Sequence, residues 1–579
     1  MNFKDIFKRL KPLKAPWKNY YQKGKDTIKV PNDTIYEFFE KSAIKYSECT
    51  AYEYFGKKTS YKNFLKQIDE TAKAFKAIGV KKKDIITICM PNTPEAIMCF
   101  YALNKLGAIS NMIHPLSAEE EIKDYLNGNH AKMIVLIDMC LEKVNNILRK
   151  TKVKKAIVVS PGESMPFFLN VGYGLTQGRK FKKPNDPLYI NWKEFIKYGK
   201  TIGGIETVPN KKDTPAVILH SGGTTGTPKA TLLTNESFST MCLQIKYVIK
   251  EINEKDSLLA IMPIFHGFGL SICINAPFFF GAKAILVPQF NAKEFDKLIN
   301  KTKPTIIVGV PTLYEALTNS NNIKDLDLSY VKYVISGGDF LSGPLFDKIN
   351  NYFQDHGSKA VVFQGYGMTE SLAATSVAAN EWNKKGSIGI PLPGNHLKIV
   401  DPETRKELGI NEDGEICVTG PTLMLGYLDN EIETNEVLQI HDDGHVWLHT
   451  GDIGYMDEDG VFFYKQRLKR MIISSGYNVY PSHIENIINE HPAVLSSTVI
   501  GVPHPYKVEV PKAFVVLKND YISLGSTEKS IKKWCEKHLS RHAVPHEFEF
   551  RKSLPKTLIG KIDFKKLMAE EEEKRKNEK

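Results

Sequence analysis

Nowhere in the 579 residues does an apolar run reach the roughly 18 residues that a membrane-spanning helix requires. The first residues also lack the apolar core and small-residue cleavage site of a secretion signal, which predicts a cytoplasmic protein. The eight cysteines (Cys49, Cys89, Cys99, Cys140, Cys242, Cys273, Cys417 and Cys535) include no C-x-x-C pair. That absence argues against metal ligands and disulfides, and the apolar neighbours of Cys99 and Cys273 mark reduced core thiols. Internal repeats and long low-complexity tracts are missing as well. Acidic side chains are scarce at the start, where residues 1–25 hold eight Lys or Arg against Asp5 alone. In the same stretch Phe3, Ile6, Phe7 and Leu10 recur at helical spacing until Pro12 stops the pattern. With Trp17, Tyr20 and Tyr21 following, two readings stand. One is a basic helix lying on an anionic bilayer at the inner face of the membrane; the other is a terminal helix docked on its own protein. No nucleic-acid-binding module accompanies the charge, so nucleic acid is not an expected partner.

With 42% hydrophobic and 25% charged residues the composition is that of a globular protein, and the length calls for at least two domains. From about Asp33 to Val310, helical patterns alternate with short β-branched runs at 84–89, 133–137, 156–159 and 284–287. The alternation predicts an α/β fold, with doubly wound parallel sheets in a large N-terminal domain. Residues 161–200 interrupt it with Met165, Phe167, Phe168 and Leu169, then Arg179, Lys180, Lys182 and Lys183. This insertion reads as a surface loop with one buried hydrophobic anchor, and a membrane-facing element is the alternative. After Gly414 the runs become short and turn-rich, which predicts a small β-barrel-like subdomain. The basic stretch Lys465–Arg470 marks the domain boundary, giving residues 1–466 and a small mobile α+β unit at 467–579. The final residues, Glu570–Lys579, read as a solvated mixed-charge helix.

Four motifs carry the chemistry. Residues 221–229 read SGGTTGTPK and follow the apolar run Ala216–Leu219, a short buried strand. Gly222, Gly223 and Gly226 let backbone N–H groups approach an anion, Ser221, Thr224 and Thr225 add donors, and Lys229 brings a point charge. The segment is not a Walker A loop, because Thr227 and Pro228 separate Gly226 from Lys229 and Ala230 follows. Next, in Phe363–Glu370, Gly365 and Gly367 flank Tyr366, so a nucleobase can lie against the ring and the backbone. Thr369 and Glu370 can then reach phosphate and Mg²⁺, although a Thr-Glu pair alone would be an ordinary helix cap. Third, Asp452 in Trp447–Asp452 can accept hydrogen bonds from two ribose hydroxyls, with Arg467 following in Tyr464–Arg467. Last, Lys561 follows Gly560 in the short polar loop 555–562, whose reach suits charge stabilisation at a pentacoordinate phosphorus. Taken singly, each of these residues also fits a turn or a solvated surface; it is the set that points to one site.

The set resembles the acyl-adenylate-forming superfamily of acyl-CoA synthetases, luciferases and carrier-loading adenylation domains, and the resemblance covers nearly the whole chain. The Gly222-Gly223 pair looks like the loop variant of bacterial fatty-acid ligases. The resemblance implies an adenosine site at Gly338, Gly365, Tyr366, Gly367, Asp452 and Arg467, magnesium at Glu370 and Thr225, and Lys561 as the lysine of adenylate formation. It further implies a hinge at Lys469, a CoA tunnel lined by Gly476 and Tyr477, and a carboxylate-pocket gate at His266. Departures from the family pattern are Ala230, Asp339, Gln466 and His483. ATP, Mg²⁺ and CoA are the implied cofactor and co-substrates, with a medium- or long-chain fatty acid as the expected carboxylate. Phe265, Phe268, Phe278, Phe279, Phe280 and Leu313 are candidates for its pocket. An aryl- or cinnamoyl-CoA ligase, a carrier-loading enzyme and a non-catalytic nucleotide-binding protein are the alternatives, and oligomeric state is left open.

Overall fold

The computed structural model describes residues 13–21, 26–181, 183–221, 229–320, 322–323, 325–474, 477–504, 507–518, 521, 527–540, 542–557 and 561–577. The amphipathic stretch Phe3–Leu10 lies outside them.

Two large sheets carry the N-terminal domain. In the eight-stranded sheet, Ile85–Cys89, Ile109–Ile113, Met133–Ile137, Lys155–Val159, Tyr189–Asn191 and Pro215–Ser221 run parallel. Met133–Ile137 is buried at every position, which is why it reads as an unbroken apolar run and not as an alternation. The nine-stranded sheet has a parallel centre formed by Thr50–Tyr54, Lys283–Leu286, Ser257–Ala260, Ile306–Gly309, Tyr333–Gly337 and Val362–Tyr366. Helix Tyr61–Ala77, started by the Ser60 hydroxyl, packs on the nine-stranded sheet, and Pro94–Lys105, capped by Thr93, packs on the eight-stranded one. The two helices pack on each other, so Pro94–Lys105 is buried on all faces.

A five-stranded antiparallel sheet spans His396 to Arg467, and a fourth sheet of five strands, from Ile472 to Phe550, forms the small C-terminal domain. The turn Leu468–Arg470 joins them.

Two expectations need correction. Phe278 and Phe280 belong to the core: the Phe278 ring sits 5.4–6.3 Å from those of Phe39, Tyr61, Phe64 and Tyr101. Phe279 stacks on Phe38 at 4.6 Å. An apolar run looks the same in sequence whether it lines a pocket or fills a core. Nor is the C-terminal helix, Phe564–Asn577, merely solvated. Its buried Glu571 accepts from the buried Lys512 ammonium at 2.7 Å, and Glu570 pairs with Arg551 at 2.7 Å. At the N-terminus Trp17 is buried, edge-on to Phe462 at 5.5 Å, and Tyr20 and Tyr21 lean on Trp382. These aromatic side chains are docked on their own protein.

Residues 161–181 differ from a plain loop. Met165 packs against the core as an anchor, but Phe167–Leu175 is a helix with no buried residue.

Candidate active site

The site begins with a register. Strands Val446–Met456 and Phe462–Arg467 pair antiparallel, so that Asp452 stands opposite Arg467. The Arg467 Nε reaches Asp452 Oδ1 at 2.9 Å, and the Tyr366 hydroxyl donates to Asp452 Oδ2 at 2.7 Å. Asp452 is buried, which pushes its pKa up, while Arg467 and Tyr366 pull it down. The Asp452 carboxylate in turn holds Arg467 firmly in its charged form.

The turn before Asp452 is fixed from behind. Glu415 accepts the Gly451 N–H at 2.8 Å and holds His449 Nδ1 at 2.7 Å, and the Thr450 hydroxyl donates to the Ile416 carbonyl at 2.7 Å. Glu415 lies 37 positions upstream of Asp452, and no local motif announces it.

Tyr366 ends the strand Val362–Tyr366 at the carboxyl edge of the parallel sheet, where α/β folds hold ligands. The chain then reverses. A 3-10 turn, Thr369–Ser371, leads into Leu372, a buried non-glycine residue at φ 72° and ψ −57°. The Ala373 N–H donates to the Ser371 carbonyl at 3.0 Å, which closes a strained γ-turn around Leu372. Gly367 and Gly267 make this reversal possible. A Cβ on Gly367 would lie 1.6 Å from the Ala373 carbonyl oxygen, and one on Gly267 would lie 1.7 Å from that of Leu372. Gly365 is different: the nearest atom to an added Cβ is the Ser336 oxygen, at 3.9 Å. Gly367→Ala is therefore expected to destabilise the fold by about 3 kcal/mol or more, and Gly365→Ala to leave the melting temperature unchanged while weakening nucleotide binding. Thermal unfolding and nucleotide titration of both variants check this contrast.

A cavity of about 510 Å³, a size suited to a small ligand, brings the expected residues together. Gly338, Gly365, Tyr366 and Gly367 line it together with Asp452, Arg467 and Lys561. Gly338 takes φ +80°, a value that explains its glycine. Tyr464, Phe340 and Arg470 also line it, and the sequence motifs gave no warning of these roles. Arg470 is set by Glu485 at 2.5 Å, and Glu485 also accepts from the Thr498 hydroxyl and the Val499 N–H. Lys561 comes from the C-terminal domain. Its backbone N–H donates to the Thr557 hydroxyl at 3.2 Å, and the Thr557 N–H returns a bond to the Lys561 carbonyl. Burial lowers the Lys561 pKa and Arg467 adds to the effect; Asp339, a departure from the family pattern, and Asp452 offset part of it. His266 lies within reach of the Lys561 charge, and burial with that charge pushes its pKa down to about 4. The His266 Nδ1 accepts the Phe268 N–H at 3.2 Å, so the ring is neutral and positioned.

A second group of polar side chains forms around Tyr427. Its hydroxyl donates to Glu370 Oε1 at 2.9 Å, and Lys229 Nζ lies 4.9 Å above its ring and 2.7 Å from Glu433. Lys229 pairs across the hairpin with Ser221, so the two residues are the stem of the phosphate-loop candidate. Thr369 is buried. Gly222, Gly223, Thr224, Thr225, Gly226 and Gly476 lie outside the described residues, and Lys469 and Tyr477 are described by their backbone alone, in the turn Leu468–Arg470 and the strand Tyr477–Val479.

A hairpin stem carrying Lys229, a buried carboxylate at Asp452 and Lys561 from the C-terminal domain are the parts of a candidate nucleotide site. The chain belongs to the AMP-binding enzyme family, whose model matches residues 39–428; the family's C-terminal domain matches residues 483–561. By class it is an acid–thiol ligase. It is 34% identical over 555 residues to a long-chain-fatty-acid–CoA ligase of Bacillus subtilis, covering 94% of this chain and 96% of the relative. It is 32% identical to a probable 4-coumarate–CoA ligase of Dictyostelium discoideum, over 86% of this chain and 87% of that one. Among solved structures, an anthranilate CoA ligase in complex with anthranoyl-AMP superposes with a TM-score of 0.81 at 23% identity, over 94% of this chain and 98% of that one.

Proposed function

We propose that the protein is an ATP-dependent fatty acyl-CoA ligase for medium- or long-chain acids, working in two half-reactions. The observation that carries the proposal is the meeting of Lys561 with Tyr366, Asp452 and Arg467 on one cavity, each from a different segment of chain. In the first half-reaction a carboxylate oxygen attacks the α-phosphorus of ATP, and pyrophosphate leaves as acyl-AMP forms. Adenine lies against Tyr366 and the glycines at 338, 365 and 367. Asp452 takes the ribose hydroxyls, and Arg467 holds the ribose and phosphate. The 221–229 loop wraps the β- and γ-phosphates, and Lys561 stabilises charge building at the reacting oxygens. His266, neutral and within reach of the Lys561 charge, borders the carboxylate pocket as a gate and not as a base.

Glu370 offers a carboxylate next to the hairpin stem, the hard oxygen donor that Mg²⁺ prefers. With Thr225 it would hold that ion, which would neutralise phosphate charge.

In the second half-reaction the thiolate of CoA attacks the acyl-AMP carbonyl and AMP leaves. Lys561 has by then to vacate the cavity. We assign the change to a rotation of the C-terminal domain about Lys469, which brings Gly476 and Tyr477 to the CoA side. The fatty-acid reading is supported by the Bacillus subtilis relative; the Dictyostelium relative supports an aryl acid as the second reading. Free cysteines throughout the described residues fit a reducing, cytoplasmic setting.

Pyrophosphate release from Mg·ATP, with acids from C2 to C18 and aromatic acids, with and without CoA, tests the proposal. Sustained, CoA-dependent turnover peaking between C8 and C18 is the expected result. A peak with cinnamic or benzoic acids overturns the fatty-acid reading, and a burst indifferent to CoA overturns CoA as the acceptor.

A further inference from the structure

Helix Phe167–Leu175 sits in the crossover between the parallel strands Lys155–Val159 and Tyr189–Asn191. Its apolar side chains face outward. Phe167 is 73% exposed, Phe168 85%, Val171 44% and Leu175 55%. At about 100° per residue these four fall on one face, and Tyr173 points the opposite way. Tyr173 is the tether: its hydroxyl donates to both carboxylate oxygens of Asp138 at 3.0 Å. A second tether lies just before the helix, where the Ser164 hydroxyl donates at 2.5 Å to the buried Glu95. The apolar face is thus held outward by polar bonds made beneath it. An exposed patch of this kind marks an interaction surface, because burial on the protein itself would be the cheaper arrangement.

Charge indicates the partner. From residue 164 to residue 185 there is no Asp or Glu, while Arg179, Lys180, Lys182 and Lys183 follow the helix. Arg179 and Lys180 are exposed directly after it, and Asp186, the next acid, is engaged by Arg149 at 2.7 Å. Among the described residues no helix is long and apolar enough to cross a membrane, so any bilayer contact made by them is lateral. We infer that Phe167–Leu175 is a membrane-docking helix: Phe167, Phe168, Val171 and Leu175 enter the acyl boundary of an anionic bilayer while Arg179 and Lys180 meet its headgroups. This goes beyond the ligase reading and does not depend on it.

Co-sedimentation of the full chain with phosphatidylcholine vesicles, with and without 30 mol% (about one lipid in three) phosphatidylglycerol, tests the inference. At low salt the unsubstituted protein partitions about tenfold or more onto the anionic vesicles relative to the neutral ones. Replacing Phe167, Phe168 and Leu175 together by Ser, or Arg179 and Lys180 together by Glu, lowers that partition by about tenfold or more. Unfolding temperature stays unchanged in both variants, since the substituted side chains are exposed. Equal partition onto the two vesicle types, or variants that bind as well as the unsubstituted chain, overturns the inference. So does a dimer in sedimentation velocity that the Ser variant dissolves, because the face would then be covered by a second copy.

Discussion

Lys561→Gln lowers carboxylate-dependent pyrophosphate release by about 10²–10³-fold, the usual effect of removing one preorganised donor from a charged transition state. Thioester formation from supplied acyl-AMP and CoA stays close to the unsubstituted rate. The asymmetry follows from where the lysine comes from. Lys561 reaches the cavity on a loop of the C-terminal domain, while Asp452, Tyr366 and Arg467 belong to the other domain or its edge. On the proposed rotation, a group delivered by the C-terminal domain acts in the step during which that domain is in place. Comparable losses in both assays would refute the division of labour. The pH profile gives an independent reading. Burial lowers the Lys561 pKa, so its charged form is lost at a lower pH than for an ordinary lysine near about 10.4. The first half-reaction is expected to fall as pH rises through that lowered value. Lys561→Arg, if it retains activity, removes the decline because a guanidinium does not titrate there.

How much of this was legible in the sequence depends on how local the cause is. Strands such as Met133–Ile137 declare themselves because both faces are buried, and the sequence stays apolar throughout. The hairpin stem at Ser221 and Lys229 was visible because a strand runs directly into a glycine-rich turn. The motifs containing Tyr366, Asp452 and Arg467 were each visible. Their mutual contacts were not, since these depend on a cross-strand register and on a turn 86 residues away. Glu415, Glu485 and Tyr427 were invisible for the same reason: each acts by holding another residue, and no local pattern encodes such a partner. Gly367 was read as room for a nucleobase, and the backbone reversal at Leu372 gives a stronger reason for it. The helix Phe167–Leu175 was obscured because Gly172 and Gly174 weaken its helical signal, and three adjacent apolar residues look like an anchor.

The pair Asp452→Ala and Tyr366→Phe separates recognition from support. Asp452 is the common acceptor for the Tyr366 hydroxyl and the Arg467 guanidinium. Its proposed task is to accept two further hydrogen bonds from ribose. Bonds to a charged group are worth about 1.5–3 kcal/mol each. Removing the carboxylate is therefore expected to weaken ATP binding by about 10²-fold or more. Tyr366→Phe keeps the ring against adenine and removes one donor to Asp452, so its effect is about tenfold or less. Both variants should melt near the unsubstituted protein. Arg467 borders the open cavity with its side chain about half exposed, so losing Asp452 leaves it with access to water and not as a sealed, unpaired charge. Nucleotide titration calorimetry beside thermal unfolding supplies both readouts. If the two substitutions weaken ATP equally, Asp452 serves only to orient Tyr366, and the ribose contact must be sought elsewhere on the cavity wall. If Asp452→Ala alone is severe while the melting temperature holds, the carboxylate is the nucleoside's own ligand and the cross-strand register is what places it.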